Sequence, residues 1–201
     1  MATDLFEIIA TRRTIRRFDP EKKIETAHLV EMVQLGSLAP CRLNKQGWEF
    51  IILNDQNENK IIFENILWGI KNPSNKVFAD SRYAPCAYIA ILIDTNIKPS
   101  GFEYEVGACI QNIMIYAWSL RIGSVWLNSI NREKLKTMLK IPDNKRLECL
   151  IGLGYPEHTS KTICQEGNNY SYFLDEALNL VVPKKELATL IHYNKYGDIN
   201  E

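Results

Sequence analysis

Residues 104–123 have the sequence YEVGACIQNIMIYAWSLRIG, which is the longest stretch of the chain with a helical pattern. Apolar residues recur along it at spacings of three and four, as they do on one face of an α-helix, and the other faces are apolar as well. A helix that is apolar on nearly every side lies in the interior of a protein. The stretch therefore predicts a central, buried helix.

Short runs of β-branched and aromatic residues on both sides of this helix predict buried strands. The strongest pattern is CAYIAILID at residues 86–94. The runs WEFIIL at 48–53 and LECLIGLGY at 147–155 have the same character, and a short strand or turn is predicted at 124–130. The chain is therefore expected to combine the buried helix with several buried strands.

Further helices are predicted from apolar periodicity and from the residues that begin and end them. Thr3 or Asp4 caps a first helix that continues toward residue 12, and Pro40 stops a second helix that begins near Thr26. A weak helix is predicted at 56–69, a polar loop with some local helix at 70–83, and a surface helix at 131–142.

The composition changes after Pro156, where residues 157–201 predict an extended tail. Little periodicity is present before Pro183, which is placed to begin a short last helix because a proline at the first helical position loses no hydrogen bond. A long irregular segment is uncommon within a compact domain. We therefore predict one domain over 1–201, whose tail and last helix pack on a partner subunit.

Charge and composition narrow the class of protein. The chain has 201 residues, of which 46% are apolar, and it has 24 basic and 24 acidic residues. This balance argues against nucleic acid and against an anionic membrane surface as partners. The longest apolar run is far too short to span a membrane, and the first ten residues do not resemble a secretory signal.

The cysteine pattern indicates a reducing compartment. The five cysteines are dispersed without a CxxC pair, which argues against structural zinc and against a disulfide framework. We therefore expect a cytoplasmic protein with reduced thiols and no metal. The five are Cys41, Cys86, Cys109, Cys149 and Cys164.

Residues 10–18, ATRRTIRRF, hold four arginines although the whole chain has no net charge, and we call this segment the arginine run. An arginine side chain presents a planar fork that binds phosphate through two hydrogen bonds, and Thr14 adds a hydroxyl. Two interpretations follow from the residues alone: a site for an anion, or a solvated helix end. The arginines are Arg12, Arg13, Arg16 and Arg17.

Two other segments have the character of binding loops. Residues 36–50 place a proline turn and then Arg42, Asn44 and Gln46 directly before a buried strand, where a rigid scaffold holds polar groups in place. The alternative is a plain connection between helix and strand. In residues 120–128, Trp126 taken alone is interpreted as a core residue.

The usual hydrolytic motifs are absent from the sequence. There is no GxSxG, HExxH or GxxxxGK[ST] pattern, and GLGYPE at 152–157 lacks the third glycine of a dinucleotide-binding loop. His28, His158 and His192 lie far apart and are interpreted as structural or solvated. No catalytic side chain is therefore predicted.

Taken in order, these segments resemble the nitroreductase family of FMN-dependent oxidoreductases. Residues 12–18 are similar to the family's Arg-Arg-Ser-[Ile/Val]-Arg-x-[Phe/Tyr] motif, and residues 39–48 to its Ala-Pro-Ser-x-x-Asn-x-Gln-Pro-Trp motif. Residues 120–128 resemble the Leu-Gly-x-Gly-[Ser/Thr]-x-Trp passage, and 151–157 the closing Gly-Tyr-Pro strand. The tail resembles one branch of the family, so the resemblance covers nearly the whole chain.

The resemblance implies an α+β fold, with a central mixed, mostly antiparallel sheet flanked by helices, in a domain-swapped homodimer. It also implies FMN between the subunits and a ping-pong reaction, in which NADH or NADPH passes hydride through flavin N5 to a nitroaromatic, a quinone or a similar small acceptor. Two alternatives remain open: other flavin chemistry of the family, namely reductive dehalogenation or flavin fragmentation, and a flavin-binding dimer without catalysis.

The resemblance also implies the cofactor contacts. Arg12, Thr14 and Arg16 match positions that hold the FMN phosphate, ribityl chain and ring carbonyl edge. The remaining matched positions are Arg13 for ring or backbone contacts, Pro40, Cys41, Arg42 and Asn44 for the flavin of the other subunit, Trp126, Leu127 and Asn128 beside the ring, and Lys161 as the basic residue after Gly-Tyr-Pro. Cys41 stands where serine is usual, and Gly47 replaces a proline.

Overall fold

The structure, a computed structural model, describes residues 4–68 and 78–199. Contacts divide the chain into two units, Met1–Glu157 and His158–Glu201. Most of the loop predicted at 70–83 lies outside the described residues, and its last part forms a 3-10 turn at Ser81–Tyr83.

A four-stranded sheet forms the centre of the first unit, and its strands confirm the predicted ones to within three residues at either end. Every neighbouring pair is antiparallel, in the order β1-β2-β4-β3, so the prediction of a mostly antiparallel sheet is confirmed. The strands are β1 (Trp48–Leu53), β2 (Ala87–Asp94), β3 (Gly123–Leu127) and β4 (Lys145–Gly154).

Five α-helices surround this sheet within the described residues. The central helix α4 ends at Ser119, earlier than predicted, because Arg121 adopts a left-handed conformation (φ 61°) and the chain enters β3 at Gly123. The helices are α1 (Leu5–Thr11), α2 (Thr26–Ser37), α3 (Gln56–Glu64), α4 (Glu103–Ser119) and α5 (Arg132–Met138).

The sheet separates two hydrophobic cores. All eight residues of β2 are buried, and successive side chains of a strand point to opposite faces. Ile89 and Ile91 therefore join the core that contains α2 and α4, whereas Tyr88 and Ala90 join the core that contains α3 and α5. With α4 in the first core, the predicted central helix is confirmed.

Helix α1 is the exception to this packing. Asp4 caps it, accepting a hydrogen bond from the backbone N–H of Phe6 at 3.2 Å, but none of its residues is buried. Leu5, Phe6 and Ile9 are exposed, with Phe6 exposed to 77%. The predicted first helix is thus present, and these three side chains stay exposed in the part of the chain that the structure describes.

The second unit contains strands that the sequence analysis did not predict. Strand β7 (Leu180–Lys184) pairs in parallel with β5 (Ser160–Cys164) and antiparallel with the two-residue strand β6 (Phe173–Leu174). The predicted last helix is wrong: Pro183 lies inside β7, and only a 3-10 turn forms, at Leu187–Leu190.

Candidate functional site

The arginine run follows α1 as an extended segment that lies along the edge of the main sheet. Thr14 forms a parallel bridge with Ser124 of the edge strand β3, and the N–H of Ile15 donates to the Ser124 carbonyl at 3.0 Å. Farther along, Phe18 forms an antiparallel bridge with Pro156. Backbone pairing to the sheet thus fixes the course of the run.

Two glycines make this close approach possible. Gly123 and Gly154 are direct partners across β3 and β4, and the buried side chains of Ile15 and Phe18 lie against them. A Cβ at Gly123 would lie 2.8 Å from Ile15 Cγ1, and one at Gly154 would lie 2.8 Å from Phe18 Cδ1. Residues with side chains at these positions would push the run off the sheet.

Arg12 is the half-buried cation at the start of the run. Its N–H donates to the Ile8 carbonyl at 2.9 Å, which ends α1. Within residues 4–68 and 78–199 no carboxylate forms an ion pair with Arg12. Burial, and then the charge of Arg13, lower the pKa of Arg12 below its usual value. A partly desolvated cation next to another cation favours a bound anion.

Arg13 has a different environment. Its guanidinium turns back onto the end of α1, where it donates to the carbonyl oxygens of Ala10 and Arg12, both at 2.5 Å. A cation at this end of a helix satisfies free carbonyl groups and interacts favourably with the helix dipole. This contact stabilises the turn that leads from α1 into the extended run.

The two later arginines lie over aromatic rings. The guanidinium of Arg16 is 5.3 Å from the ring centre of Phe78, and that of Arg17 is 4.0 Å from that of Tyr83. Such contacts orient a guanidinium without neutralising its charge. The four arginines therefore have different local environments, which the sequence pattern alone did not distinguish.

The 41–46 loop joins α2 to β1 and has a strained backbone. It contains a 3-10 turn, Arg42–Asn44, and three of its residues adopt left-handed conformations: Leu43 (φ 58°), Asn44 (φ 50°) and Gln46 (φ 48°). Residues other than glycine rarely adopt this conformation, which in folded proteins is concentrated at functional sites. The loop is therefore not a plain connection.

Side chains of the loop contact one another. The N–H of Gln46 donates to Cys41 Sγ at 3.3 Å, and Gln46 Nε2 donates to Asn44 Oδ1 at 3.1 Å. Pro40 and Arg42 are exposed, and Cys41 is half-buried. The Cys41 thiol thus helps to close the loop, in addition to the cofactor contact that the resemblance implies.

A buried ion pair beneath this loop escaped the sequence analysis. One oxygen of Glu105, Oε1, accepts from the backbone N–H of Arg42 at 2.9 Å and from Lys98 Nζ. Burial raises the pKa of Glu105, but these two hydrogen bonds and the Lys98 charge outweigh it and lower the pKa below its usual value. The available signal was an acidic residue inside an otherwise apolar helix.

The segment from Trp126 to Asn128 continues along β3 from the bridge at Ser124. Trp126 is exposed to 40%, so its interpretation as a core residue is wrong, and its Nε1 donates to Asn128 Oδ1 at 3.1 Å. Leu127 is buried in the core. Arg132, which the sequence analysis missed, donates from Nη2 to the Asn128 carbonyl at 3.0 Å and holds the end of this segment.

Lys161 belongs to the second unit. It lies in β5, where its Nζ is 3.6 Å from Asp175 Oδ2. Its assignment as a phosphate ligand stays a prediction.

All five cysteines are free thiols. Burial raises the pKa of Cys109 and of Cys149 to about 12, so both are neutral at physiological pH. Residues 4–68 and 78–199 contain no group of three or more His, Cys, Asp or Glu side chains arranged to hold a metal ion. Among the same residues, no helix is long and apolar enough to cross a bilayer.

The chain belongs to the nitroreductase family, whose model matches residues 9–155. A protein of Archaeoglobus fulgidus, provisionally named an NADH dehydrogenase/NAD(P)H nitroreductase, is 29% identical over 163 residues, which cover 77% of this chain and 86% of that protein. An iodotyrosine deiodinase of Thermotoga neapolitana is 21% identical over 76% of this chain and 89% of its own length.

A solved structure shares the fold. The crystal structure of a provisionally named nitroreductase from Desulfovibrio desulfuricans in complex with FMN superposes with a TM-score of 0.69, covering 98% of this chain and 99% of that chain at 20% identity. The α+β nitroreductase fold of the present chain is thereby established.

Proposed function

We propose that this protein is an FMN-dependent oxidoreductase that passes electrons from NADH or NADPH to a nitroaromatic, a quinone or a similar small acceptor. One observation carries the proposal: Arg12, at the first position of the family motif, is a half-buried cation without an acidic partner in the described residues. The FMN complex of the similar Desulfovibrio protein and the nicotinamide-dependent name of the Archaeoglobus relative support it.

The residues of the arginine run suit this cofactor. Arg12, Thr14 and Arg16 occupy alternate positions of the run, around the bridge of Thr14 to the sheet edge. They offer a guanidinium, a hydroxyl and a second guanidinium, which match a phosphate, a polyol chain and a carbonyl edge. When bound, FMN supplies a two-electron carrier that a nicotinamide reduces and an acceptor reoxidises.

The protein's own contribution is to bind and to orient. Arg12 would neutralise the phosphate, and Arg16, oriented over Phe78, would stabilise negative charge at the ring carbonyls. Asn128, tied to Trp126 and Arg132, would line the ring. In the overall reaction with a quinone, one NAD(P)H and one proton are consumed, and NAD(P)⁺ and the hydroquinone are released.

We further propose that the working unit is a homodimer. The exposed apolar face of α1 (Leu5, Phe6 and Ile9) is the surface that a second copy would cover, and the 41–46 loop would reach the cofactor of that copy. Residues 157–201 are proposed to pack on the partner. Sedimentation velocity should give twice the 23.2 kDa chain mass for the wild type and a lighter species for Phe6→Glu. A single-chain species at high concentration would contradict the dimer.

FMN titration followed by flavin fluorescence tests the binding site. Loss of a charge-assisted hydrogen bond costs about 1.5–3 kcal/mol, so Arg12→Ala should weaken FMN about ten- to hundredfold. Arg12→Lys keeps the charge but lacks the planar fork, so its FMN affinity should lie between those of the wild type and Arg12→Ala. Lys134→Ala, on the exposed surface of α5, is the control and should bind FMN as the wild type does. Wild-type affinity in Arg12→Ala would overturn the proposal.

Anaerobic turnover assays test the reaction. NADH and NADPH are each offered with nitrofurazone, menadione or a halogenated phenol. Reduction of the first two acceptors supports the proposal. Halide release alone would favour reductive dehalogenation, the second candidate, which the iodotyrosine deiodinase relative supports. FMN binding without any turnover would indicate a non-catalytic flavin protein. The proposed compartment is the cytoplasm, since all five thiols are free.

A further inference from the structure

The strained backbone of the 41–46 loop requires an external constraint. A left-handed conformation is unfavourable for most L-residues, and Leu43, Asn44 and Gln46 all adopt it. Asn44 tolerates this conformation, but Leu43 and Gln46 do not favour it. The hydrogen bonds within the loop and contacts with other parts of the chain must together impose it.

Packing does not supply this constraint. The Leu43 side chain is exposed to 79%. Arg42, Leu43 and Lys45 line a cavity of about 310 Å³ whose other side is formed by residues 97–100. The tip of the loop therefore lies over this cavity, and a small number of polar contacts hold the loop in place.

The ion pair between Lys98 and Glu105 contacts both ends of the loop. At one end, Glu105 accepts from the backbone N–H of Arg42, as described above. At the other end, Gly47 lies so close to Lys98 that a Cβ on this glycine would be 2.9 Å from Lys98 Cβ. The side chains of Lys98 and Glu105 are only 8% and 10% exposed.

Stability alone does not account for this arrangement. Replacing a buried ion pair by apolar residues of similar volume is often neutral or stabilising, because both charges lose their hydration. An apolar pair, however, leaves the Arg42 N–H without its acceptor. The ion pair thus differs from an apolar pair because the Glu105 oxygen accepts the hydrogen bond of the Arg42 N–H.

We propose that Lys98 and Glu105 are positioning residues, which preset the 41–46 loop for the cofactor bound by a second copy of the chain. Glu105 fixes the Arg42 amide, and Lys98 holds the Glu105 carboxylate and packs against Gly47. This inference rests on the proposed function for the identity of the ligand, but not for the shape of the loop.

Two double variants of matched size separate the effect of the Glu105 acceptor oxygen from the effect of the two charges. Lys98→Met/Glu105→Gln removes both charges and keeps an acceptor oxygen for Arg42. Lys98→Met/Glu105→Met removes the acceptor as well. We expect the glutamine variant to bind FMN within about threefold of the wild type. The methionine variant should bind at least tenfold more weakly while sedimenting and melting like the glutamine variant.

Amide hydrogen exchange of residues 41–47, without cofactor, is the second readout. Exchange should be faster in the methionine variant and unchanged in the glutamine variant. Equal exchange in both would overturn the inference, as would equal FMN affinity in both. If the wild type binds no FMN, the proposed function fails, but the exchange result still shows whether Lys98 and Glu105 position the 41–46 loop. Should the methionine variant not fold, Lys98→Met/Glu105→Ala replaces it as the variant without an acceptor, and exchange equal to that of the glutamine variant would overturn the inference.

Discussion

The arginine run and the 41–46 loop both belong to the candidate site, but the molecule holds them in different ways. The run lies on the sheet edge, paired through Thr14 and Phe18 and fitted over two glycines. The loop has no sheet partner, and its strained backbone depends on a carboxylate 63 residues farther along the chain. One element is fixed by backbone pairing, and the other by a remote side chain.

This difference shows which structural features a short sequence motif specifies and which features depend on residues outside the motif. The run needs its own residues and the two glycines beneath it, and all of these belong to short motifs that are visible in the sequence. The loop needs Glu105 and Lys98, which lie far away in sequence. A motif match alone therefore gives the position of the loop but not its shape.

The largest effect on stability is expected from adding a side chain at one of the two glycines under the run, Gly123 and Gly154, which we call the glycine platform. Gly123→Ala places a Cβ 2.8 Å from Ile15 Cγ1 and 2.9 Å from Ile15 Cβ. Because the β-branched Ile15 cannot move without moving the run, we expect a loss of about 2–3 kcal/mol in the free energy of unfolding. FMN retention should fall with it. Urea denaturation and flavin fluorescence measure the two effects.

Gly107→Ala is the matched control, because its Cβ would meet Trp126 only at 4.0 Å. In the interior of α4 alanine is a better helix former than glycine, so this variant should gain up to about 1 kcal/mol. Equal behaviour of the two alanine variants would show that the platform does not fix the run.

A smaller loss is expected where Arg132 holds the end of β3. Its guanidinium donates to the carbonyl oxygens of Asn128, Leu147 and Glu148 at 3.0, 3.2 and 2.9 Å. Arg132→Met should lower the free energy of unfolding by about 1.5 kcal/mol, near the lower end for charged hydrogen bonds because one bond is exposed. Thermal and urea unfolding check this. An unchanged stability would mean that the segment beside Trp126 is held by pairing alone.

Relief of strain in the loop should have a smaller effect, of opposite sign. Leu43→Gly places a residue that tolerates φ 58° at an exposed position, so the folded state loses strain and little burial. The greater freedom of glycine in the unfolded chain offsets part of this gain, and we expect a net stabilisation below about 1 kcal/mol. Leu43→Ala, which keeps the strain, should show no gain.

Acid pH should loosen the loop, whereas changes of pH near neutrality should not affect it. The pKa of Glu105 is lowered in the folded protein, so its contribution to stability is present above the ordinary glutamate pKa and is lost as the pH falls. Exchange of the Arg42 amide, corrected for intrinsic rates, should be constant between about pH 6 and 8 and should accelerate below about pH 4.3. Lys98→Met/Glu105→Gln should lack this acceleration.

Much of the fold could be predicted because its elements have strong local patterns. The run WEFIIL predicted β1 with the correct bounds, and the apolar helix predicted α4 as the centre of one core. The arginine run was found in the same way. In each case the decisive residues are adjacent or follow one regular period.

The misses have the opposite cause. Strand β7 pairs directly with β5 although β6 lies between them in sequence, so no local period indicates the pairing. Its run LVVPK places Pro183 within the strand instead of at the start of a helix. Trp126 is exposed although the other residues of β3 are buried, so its exposure depends on which parts of the folded chain cover this strand. Glu105 was missed because its partners lie elsewhere in the chain.

A crystal structure of the wild-type protein with excess FMN tests the central claim most directly. We expect the cofactor between two copies of the chain, with its phosphate in hydrogen-bond contact with the guanidinium of Arg12. FMN bound elsewhere, or a crystal in which Arg12 faces solvent without a ligand at saturating cofactor, would contradict the account.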